Sequence, residues 1–175
     1  MSDRTDLLQE ADKVWQAYLT TGKAFYLDAT QPKTIQRDHK YSLLSFPSPN
    51  DDAIRNVLKG LRTSRASVHC AYNGFLPQKG DFYVLCSQTH GALAVVRTFR
   101  IQEMPFNRIT EDAIRSECEG DGSLALWKDI HRERFAKILK RDGLTFTEDI
   151  KVIFEFFEVV YYTDEGKKIG FPRKE

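Results

Sequence analysis

The sequence predicts a single α+β domain in which a small antiparallel sheet curls into a barrel with helices outside. Two long segments carry apolar residues every three or four positions, and several apolar runs follow Gly-marked turns. The predicted elements run helix, helix, several strands, helices, strand. Since strands joined by short turns pair antiparallel, and 175 residues are enough for one buried core, we expect one domain.

Four helices are predicted. The first covers 6–19, and another begins after Ser123 and ends at Gly143. Asn50-Asp51-Asp52 offers a cap and first-turn acids for a helix that Gly60 ends, and a short helix runs from Thr110 to about Glu117.

Strands are predicted at 66–72, 81–86, 92–101 and 150–162. The last changes its alternation at Phe156-Phe157, which indicates either a bulge or burial on both faces. Residues 24–49 form a long, partly extended excursion. We expect 1–50 to be an N-terminal helix and excursion packing on the barrel, 51–165 the barrel domain, and 166–175 a frayed polar tail.

Composition excludes several classes of protein. The chain is 41% hydrophobic and 29% charged, which is typical of neither disordered nor membrane proteins. No apolar run approaches the ~20 residues that cross a bilayer, and the N-terminus lacks the apolar stretch of a secretory signal, so we expect a cytoplasmic protein. Cys70, Cys86 and Cys118 have no zinc or disulfide spacing and are expected to be free thiols. With 26 basic and 25 acidic residues, any polyanion site depends on local clustering of charge.

Three stretches and the closing strand resemble the ASCH family, a branch of the PUA-like barrels. Leu58-Lys59-Gly60-Leu61-Arg62-Thr63-Ser64-Arg65 is similar to the family's Gly-x-Lys-x-x-Thr turn. Gly80-Asp81, Val95-Val96-Arg97-Thr98 and Met104-Pro105-Phe106 follow in order. Glu117-Cys118-Glu119-Gly120-Asp121-Gly122, with Trp127 and His131, is similar to the Glu-Gly-Glu-Gly-Asp motif and its helix. The likeness spans Asp51 to about Tyr162 and implies a PUA-like fold.

The resemblance also implies a function involving RNA. Family members resemble RNA-binding modules, ribonucleases or small amidohydrolases that deacylate a modified cytidine. The Lys, Thr and Glu that the amidohydrolases use correspond here to Arg62, Arg65 and Glu119, so only the Glu is kept. Arg is neither a practical general base nor a hydroxyl nucleophile.

A basic and an acidic group of residues form the candidate site. Guanidinium groups of Arg62 and Arg65, with Lys59 nearby, suit phosphate, although a solvated basic turn is the simpler alternative. Glu119 is the candidate acid/base if the protein is an enzyme. We expect the guanidinium groups of Arg62 and Arg65 to meet the Glu119 side chain in a shared pocket. Glu117 and Asp121 are alternatively structural, with Asp121 assisting the start of the Ser123 helix.

Further ligand contacts are predicted around these groups. Arg97 lies among apolar strand residues and is expected to pair with Glu117 or Glu119. Ser67 and Tyr72 are candidate ligand contacts, and Tyr41, Phe46 and Tyr72 are candidates for stacking on a base, with packing alone the alternative for each. His131 is expected to be a core histidine.

The sequence therefore predicts an RNA- or nucleotide-binding protein with a basic and acidic cleft, and without catalysis. The alternatives are a hydrolase acting on RNA or on an acylated nucleoside, and a protein-interaction module that uses residues 24–49. We expect no cofactor, no metal and no membrane partner; the oligomeric state is left open.

Overall fold

The computed structural model describes residues 4–21, 41–46 and 51–172, which contain five helices and five strands. The helices are α1 (Arg4–Thr20), α2 (Asp52–Leu58), α3 (Glu111–Ile114), α4 (Leu124–Arg141) and α5 (Asp164–Gly170). The strands are β1 (Ser42–Leu44), β2 (Ser64–Val68), β3 (Phe82–Ser87), β4 (Gly91–Pro105) and β5 (Lys151–Tyr162). Short 3-10 turns cover His69–Tyr72, Phe106–Arg108 and Arg115–Glu117.

The strands form one sheet in the order β1-β3-β4-β5-β2. β3 pairs antiparallel with β4, to which a short turn joins it, and β2 pairs antiparallel with β5, which lies far from it in the chain. The β1 pair with β3 is parallel, so the sheet is mixed at that edge. The predicted α+β class is confirmed.

The described residues group into two compact units, each with its own core. The first draws on Met1–Gly60, Gly80–Arg97 and Glu158–Glu175. Its core is the apolar face of α1, where Ala11, Val14, Trp15 and Tyr18 recur at helical spacing and pack with Phe82, Val84, Cys86 and Val95. Trp15 lies edge-on to Phe82 with ring centroids 5.3 Å apart.

The second unit comprises Leu61–Lys79 and Thr98–Phe157. Its core is the face of α4 that carries Trp127, Phe135 and Leu139, packed with Phe106 and with Phe154 of β5. Ser123 caps α4 by accepting the amide hydrogen of Leu126, as predicted. Residues Val152 to Phe157 of β5 are all buried, so the change in its alternation reflects burial on both faces.

Three predicted elements differ in the structure. Asp51 does not cap α2 with its side chain; its carboxylate accepts hydrogen bonds from the Ser87 and Thr89 hydroxyls, both at 2.6 Å. The predicted strand at 66–72 ends at Val68, where the His69–Tyr72 turn begins. Residues up to Gly170 of the predicted frayed tail belong to α5, which Thr163 caps.

One prediction falls mainly outside the described residues, and another falls outside them in part. The excursion at 24–49 is described only at 41–46, where β1 lies, and 173–175 of the tail are not described. The division of the chain at residues 50 and 165 stays a proposal. Among the described helices, none has the length and apolar character that crossing a membrane requires.

Candidate functional site

Arg62 lies at the centre of a buried cluster of charged side chains in the second unit. The turn that carries it is fixed by backbone hydrogen bonds from the Thr63 amide to Ser116 and from the Phe157 amide to Thr63. The Arg62 side chain is only 4% exposed; its Nη1 lies 3.0 Å from Glu119 Oε1 and its Nη2 lies 3.5 Å from Glu117 Oε1. The predicted meeting of Arg62 with Glu119 is therefore present.

Glu117 is the most deeply buried acid of the cluster. Its Oε1 accepts the Ala66 amide at 2.7 Å, and its Oε2 accepts the indole N–H of Trp127 at 2.6 Å. Burial raises the pKa of this carboxyl to about 7, even though Arg62 lies beside it. Glu117 is 1% exposed, too little for a bound ligand to touch it, so it supports Arg62 and the rest of the cluster from inside the protein.

Glu119 is the acid of the cluster that is partly exposed to solvent. The turn around it contains Cys118 and Gly120 in the left-handed region, with φ of 51° and 62°. Burial pushes the pKa of Glu119 upward, but the guanidinium groups of Arg62 and Arg134 outweigh it and hold the pKa below its usual value. Glu119, 17% exposed, is an ionised acceptor that solvent can reach.

His131 is a core histidine, as predicted. The ring is fully buried and stacks on Trp127, with centroids 3.8 Å apart. Its Nδ1 lies 3.0 Å from the Trp127 carbonyl oxygen, and its Nε2 lies 3.2 Å from Nη1 of Arg134. Burial lowers the pKa of His131 to about 4, so the ring is neutral.

Arg65, which was expected to meet Glu119, pairs with Glu155. The two residues lie directly opposite each other on β2 and β5. Nε of Arg65 donates to Oε2 of Glu155 at 2.6 Å, and the Thr98 hydroxyl donates to Oε1 at 2.6 Å. The strand register explains the change of partner, because it places a fully buried carboxylate next to Arg65.

The other predicted site residues are divided between the two units. Tyr72 is in the second unit, where burial raises the pKa of its hydroxyl to about 12, and Ser67 lies beside it on β2. Lys59 is exposed at the end of α2 in the first unit. Arg97, also in the first unit, pairs with Glu158 on the neighbouring strand at 2.6 Å, so the expected pairing with Glu117 or Glu119 is wrong.

The remaining candidates have structural contacts. Asp121 accepts the Ser123 amide at 2.8 Å at the start of α4, as predicted. The Tyr41 hydroxyl donates to Asp12, and its ring packs on Trp15 in the first unit. Phe46 is half-buried. Cys70, Cys86 and Cys118 form no disulfide with one another; Cys70 and Cys86 are half-buried and buried, whereas Cys118 is exposed.

Sequence reasoning missed Arg134 and Glu155. Arg134 is one of several basic residues in α4, and composition does not distinguish it from the others. Its position three residues after His131, which puts both on one side of the helix, is the feature that could have identified it. Glu155 is a single acid within the apolar run of β5, and such a residue needs a partner. Both signals are visible in the sequence once the motif residues are known.

The fold is α+β and PUA-like, and comparison with known proteins identifies its family. The family model of the ASCH domain matches residues 42–161. The chain therefore belongs to the ASCH domain family. The ASCH domain from Lactobacillus crispatus JV V101 has a similar structure, with 24% identity, a TM-score of 0.68, and 88% of this chain and 96% of that one covered.

A second solved structure has the same fold. A protein from Enterococcus faecalis V583 is 22% identical, with a TM-score of 0.69 over 96% of this chain and 98% of that one. At these identities the likeness concerns the fold alone. Among curated proteins, none matches the sequence.

Proposed function

We propose that this protein binds RNA or a nucleotide, without catalysis, at the surface formed by Arg65, Glu119 and Arg134. The observation that supports this most is the exposed edge of the cluster: an ionised Glu119 between the buried Arg62 and the half-exposed Arg134. Arg134 lies 3.4 Å from Glu119 Oε2. One surface thus presents an acceptor and a donor of opposite charge.

Both charges suit parts of a nucleotide. Guanidinium groups bind phosphate oxygens through charge-assisted hydrogen bonds, and a carboxylate accepts the amino hydrogens of a base edge. Arg65, with its side chain 24% exposed, adds a second guanidinium whose direction is fixed by Glu155. Arg62 is enclosed by protein and is better suited to hold Glu119 than to touch a ligand.

The protonation states support binding without catalysis. Glu119, which solvent reaches, has a lowered pKa and so is a weak base that stays ionised near neutral pH. Glu117 has the pKa of about 7 that acid–base chemistry favours, but it is buried away from any ligand. The positions that resemble the family's Lys and Thr are occupied by Arg62 and Arg65, both held by carboxylates.

The other two predicted functions have less support. A hydrolase would need an acid or base with accessible protons, and a protein-interaction role rests on residues 24–49, which lie mostly outside the described part of the chain. Both stay predictions, as does the cytoplasmic location. Incubation of the purified protein with RNA and with acetylated cytidine tests the hydrolase; cleavage of either, lost in Glu119→Gln, would establish it.

A pair of arginines on α4 gives a matched test of binding. Arg134 and Arg132 are 42% and 41% exposed, but Arg132 pairs with Asp129 and Glu148 instead of Glu119. Fluorescence anisotropy of a short labelled oligoribonucleotide at low salt measures the affinity. We expect Arg134→Ala to weaken binding about tenfold and Arg132→Ala to change it little, with affinity falling as salt rises. Equal effects of the two variants, or binding insensitive to salt, would overturn the proposal.

A further inference from the structure

His131 has one acceptor position, and two donors compete for it. Its Nδ1 lies 3.0 Å from the Trp127 carbonyl oxygen, and since a carbonyl can only accept, Nδ1 carries the hydrogen. Arg134 can only donate, so Nε2 of His131, 3.2 Å from Nη1 of Arg134, is the acceptor. The neutral ring is therefore fixed as the Nδ1–H tautomer, with one lone pair directed at Arg134.

The second candidate donor is the carboxyl of Glu117. Its Oε2 lies 3.6 Å from His131 Nε2. While Glu117 is ionised it has no hydrogen to give, and Arg134 holds the lone pair. A proton on Oε2 makes Glu117 a donor 3.6 Å from Nε2, so that after a small approach it can compete with Arg134 for the lone pair.

We propose that ligand binding at this site is coupled to the uptake of one proton by Glu117, which then competes for Nε2 of His131 and releases Arg134 toward an anionic ligand. The inference rests on the proposed RNA- or nucleotide-binding function and adds a regulation of that site. No bond other than those to the proton changes: Glu117 gains a hydrogen from solvent, and Arg134 exchanges His131 for a phosphate oxygen.

The charges that face Glu117 favour this coupling. Arg62 lies beside Glu117 from the turn before β2, and the Ala66 amide of β2 donates to it. Trp127 and His131 face it from α4. Glu119 and Tyr72 act on it electrostatically from neighbouring turns. Two guanidinium groups in the cluster (Arg62, Arg134) balance two carboxylates (Glu117, Glu119). Neutralising Glu117 leaves a net positive cluster, which attracts an anion.

The pKa values place this exchange near neutral pH. Burial raises the pKa of Glu117 to about 7 and lowers that of His131 to about 4. The proton taken up near neutral pH therefore resides on Glu117, and the ring stays neutral as pH falls through 7.

The test measures oligoribonucleotide affinity as a function of pH. The probe is a short fluorescein-labelled oligoribonucleotide without terminal phosphates, so that its own charge is constant. In the wild-type protein, affinity should rise as pH falls through about 7, by up to about tenfold per pH unit for one linked proton. Glu117→Gln removes the titrating group, so its affinity should not vary with pH across this range.

A control and a second readout separate the possible failures. His69→Gln changes an exposed histidine that pairs with Glu103 and should leave the profile unchanged. The coupling is overturned if the affinity of Glu117→Gln still changes with pH, or if that of His69→Gln no longer does. ¹⁵N NMR of the free protein tests it without ligand: His131 should keep the Nδ1–H tautomer while the Arg134 guanidinium signals shift near pH 7. If the Arg134 signals shift but the protein does not bind the oligoribonucleotide, only the proposed function is contradicted. If the Arg134 signals do not shift, the coupling is contradicted.

Discussion

Two arginine–glutamate pairs in this protein have the same length but different surroundings. In the second unit, Arg65 and Glu155 lie 2.6 Å apart, and the carboxylate is fully buried. In the first unit, Arg97 and Glu158 also lie 2.6 Å apart, but their side chains are 35% and 47% exposed. Each pair joins side chains on neighbouring strands.

At equal distance, the burial of an ion pair determines how much its removal is expected to change stability. A pair in contact with water contributes about 0–1 kcal/mol, because solvent screens it and two flexible side chains must be ordered. Removing one member of a buried pair costs about 3–5 kcal/mol, because the remaining charge is left without a partner. The proposed site is built on pairs of the buried kind, which hold the exposed charges in fixed directions.

The largest effect is expected for Arg62→Ala. This change leaves Glu117 and Glu119 without their shared guanidinium, and we expect the free energy of unfolding to fall by about 3–5 kcal/mol. Urea denaturation measures it. Arg115→Ala is a suitable control, since Arg115 is 78% exposed and pairs only along its own helical turn with Asp112. A loss below about 1 kcal/mol would mean that the cluster is not held by Arg62.

The free energy of unfolding should fall by different amounts when Arg65 and when Glu155 is removed from their buried pair. Arg65→Ala leaves a fully buried carboxylate, whereas Glu155→Ala leaves a guanidinium that can turn toward water. We expect Arg65→Ala to cost about 3 kcal/mol and Glu155→Ala about half as much. Denaturant unfolding of both variants side by side gives the ratio; equal losses would contradict the assigned burial.

The stability contribution of Glu117 should depend on pH in a defined direction. The folded-state pKa of about 7 lies above the ordinary value of 4.5, so this contribution is complete below about pH 4.5 and is lost as pH rises through 7. Relative to wild type, Glu117→Gln should gain on the order of 3 kcal/mol between those limits. Unfolding curves of both proteins across this range check the sign, and a constant difference would show that the pKa is not raised.

The smallest effect is expected for Arg97→Ala. Both members of the Arg97–Glu158 pair reach solvent, so we expect a change within about 1 kcal/mol in the free energy of unfolding. Thermal or urea unfolding of the purified variant suffices for the measurement. A loss as large as that of Arg65→Ala would remove the contrast between the two pairs.

The sequence predicted the fold better than the site. Helical spacing located α1 and α4. The cap at Ser123 and the strand β5 could also be predicted, because both depend on residues close in the chain. The meeting of Arg62 and Glu119 was predicted only through the resemblance to ASCH proteins, which supplied a contact across 57 positions.

The errors arose where strand register chooses the partner. Arg65 is opposite Glu155 and Arg97 is beside Glu158, and neither neighbour follows from local spacing. The Asp51 side chain, expected to cap α2, instead accepts two hydroxyls from the β3–β4 turn. Such choices depend on three-dimensional proximity, which a single sequence does not encode in any periodic signal.

Chemical-shift mapping by ¹⁵N–¹H NMR, with a short oligoribonucleotide added to the labelled protein at low salt, tests the binding proposal most directly. We expect shifts at Arg65, Glu119 and Arg134, including the arginine side-chain signals, while Arg97 and Glu158 stay unchanged. Shifts concentrated around Arg97 and Glu158, or a spectrum unaffected by the oligonucleotide, would contradict the assignment of the site.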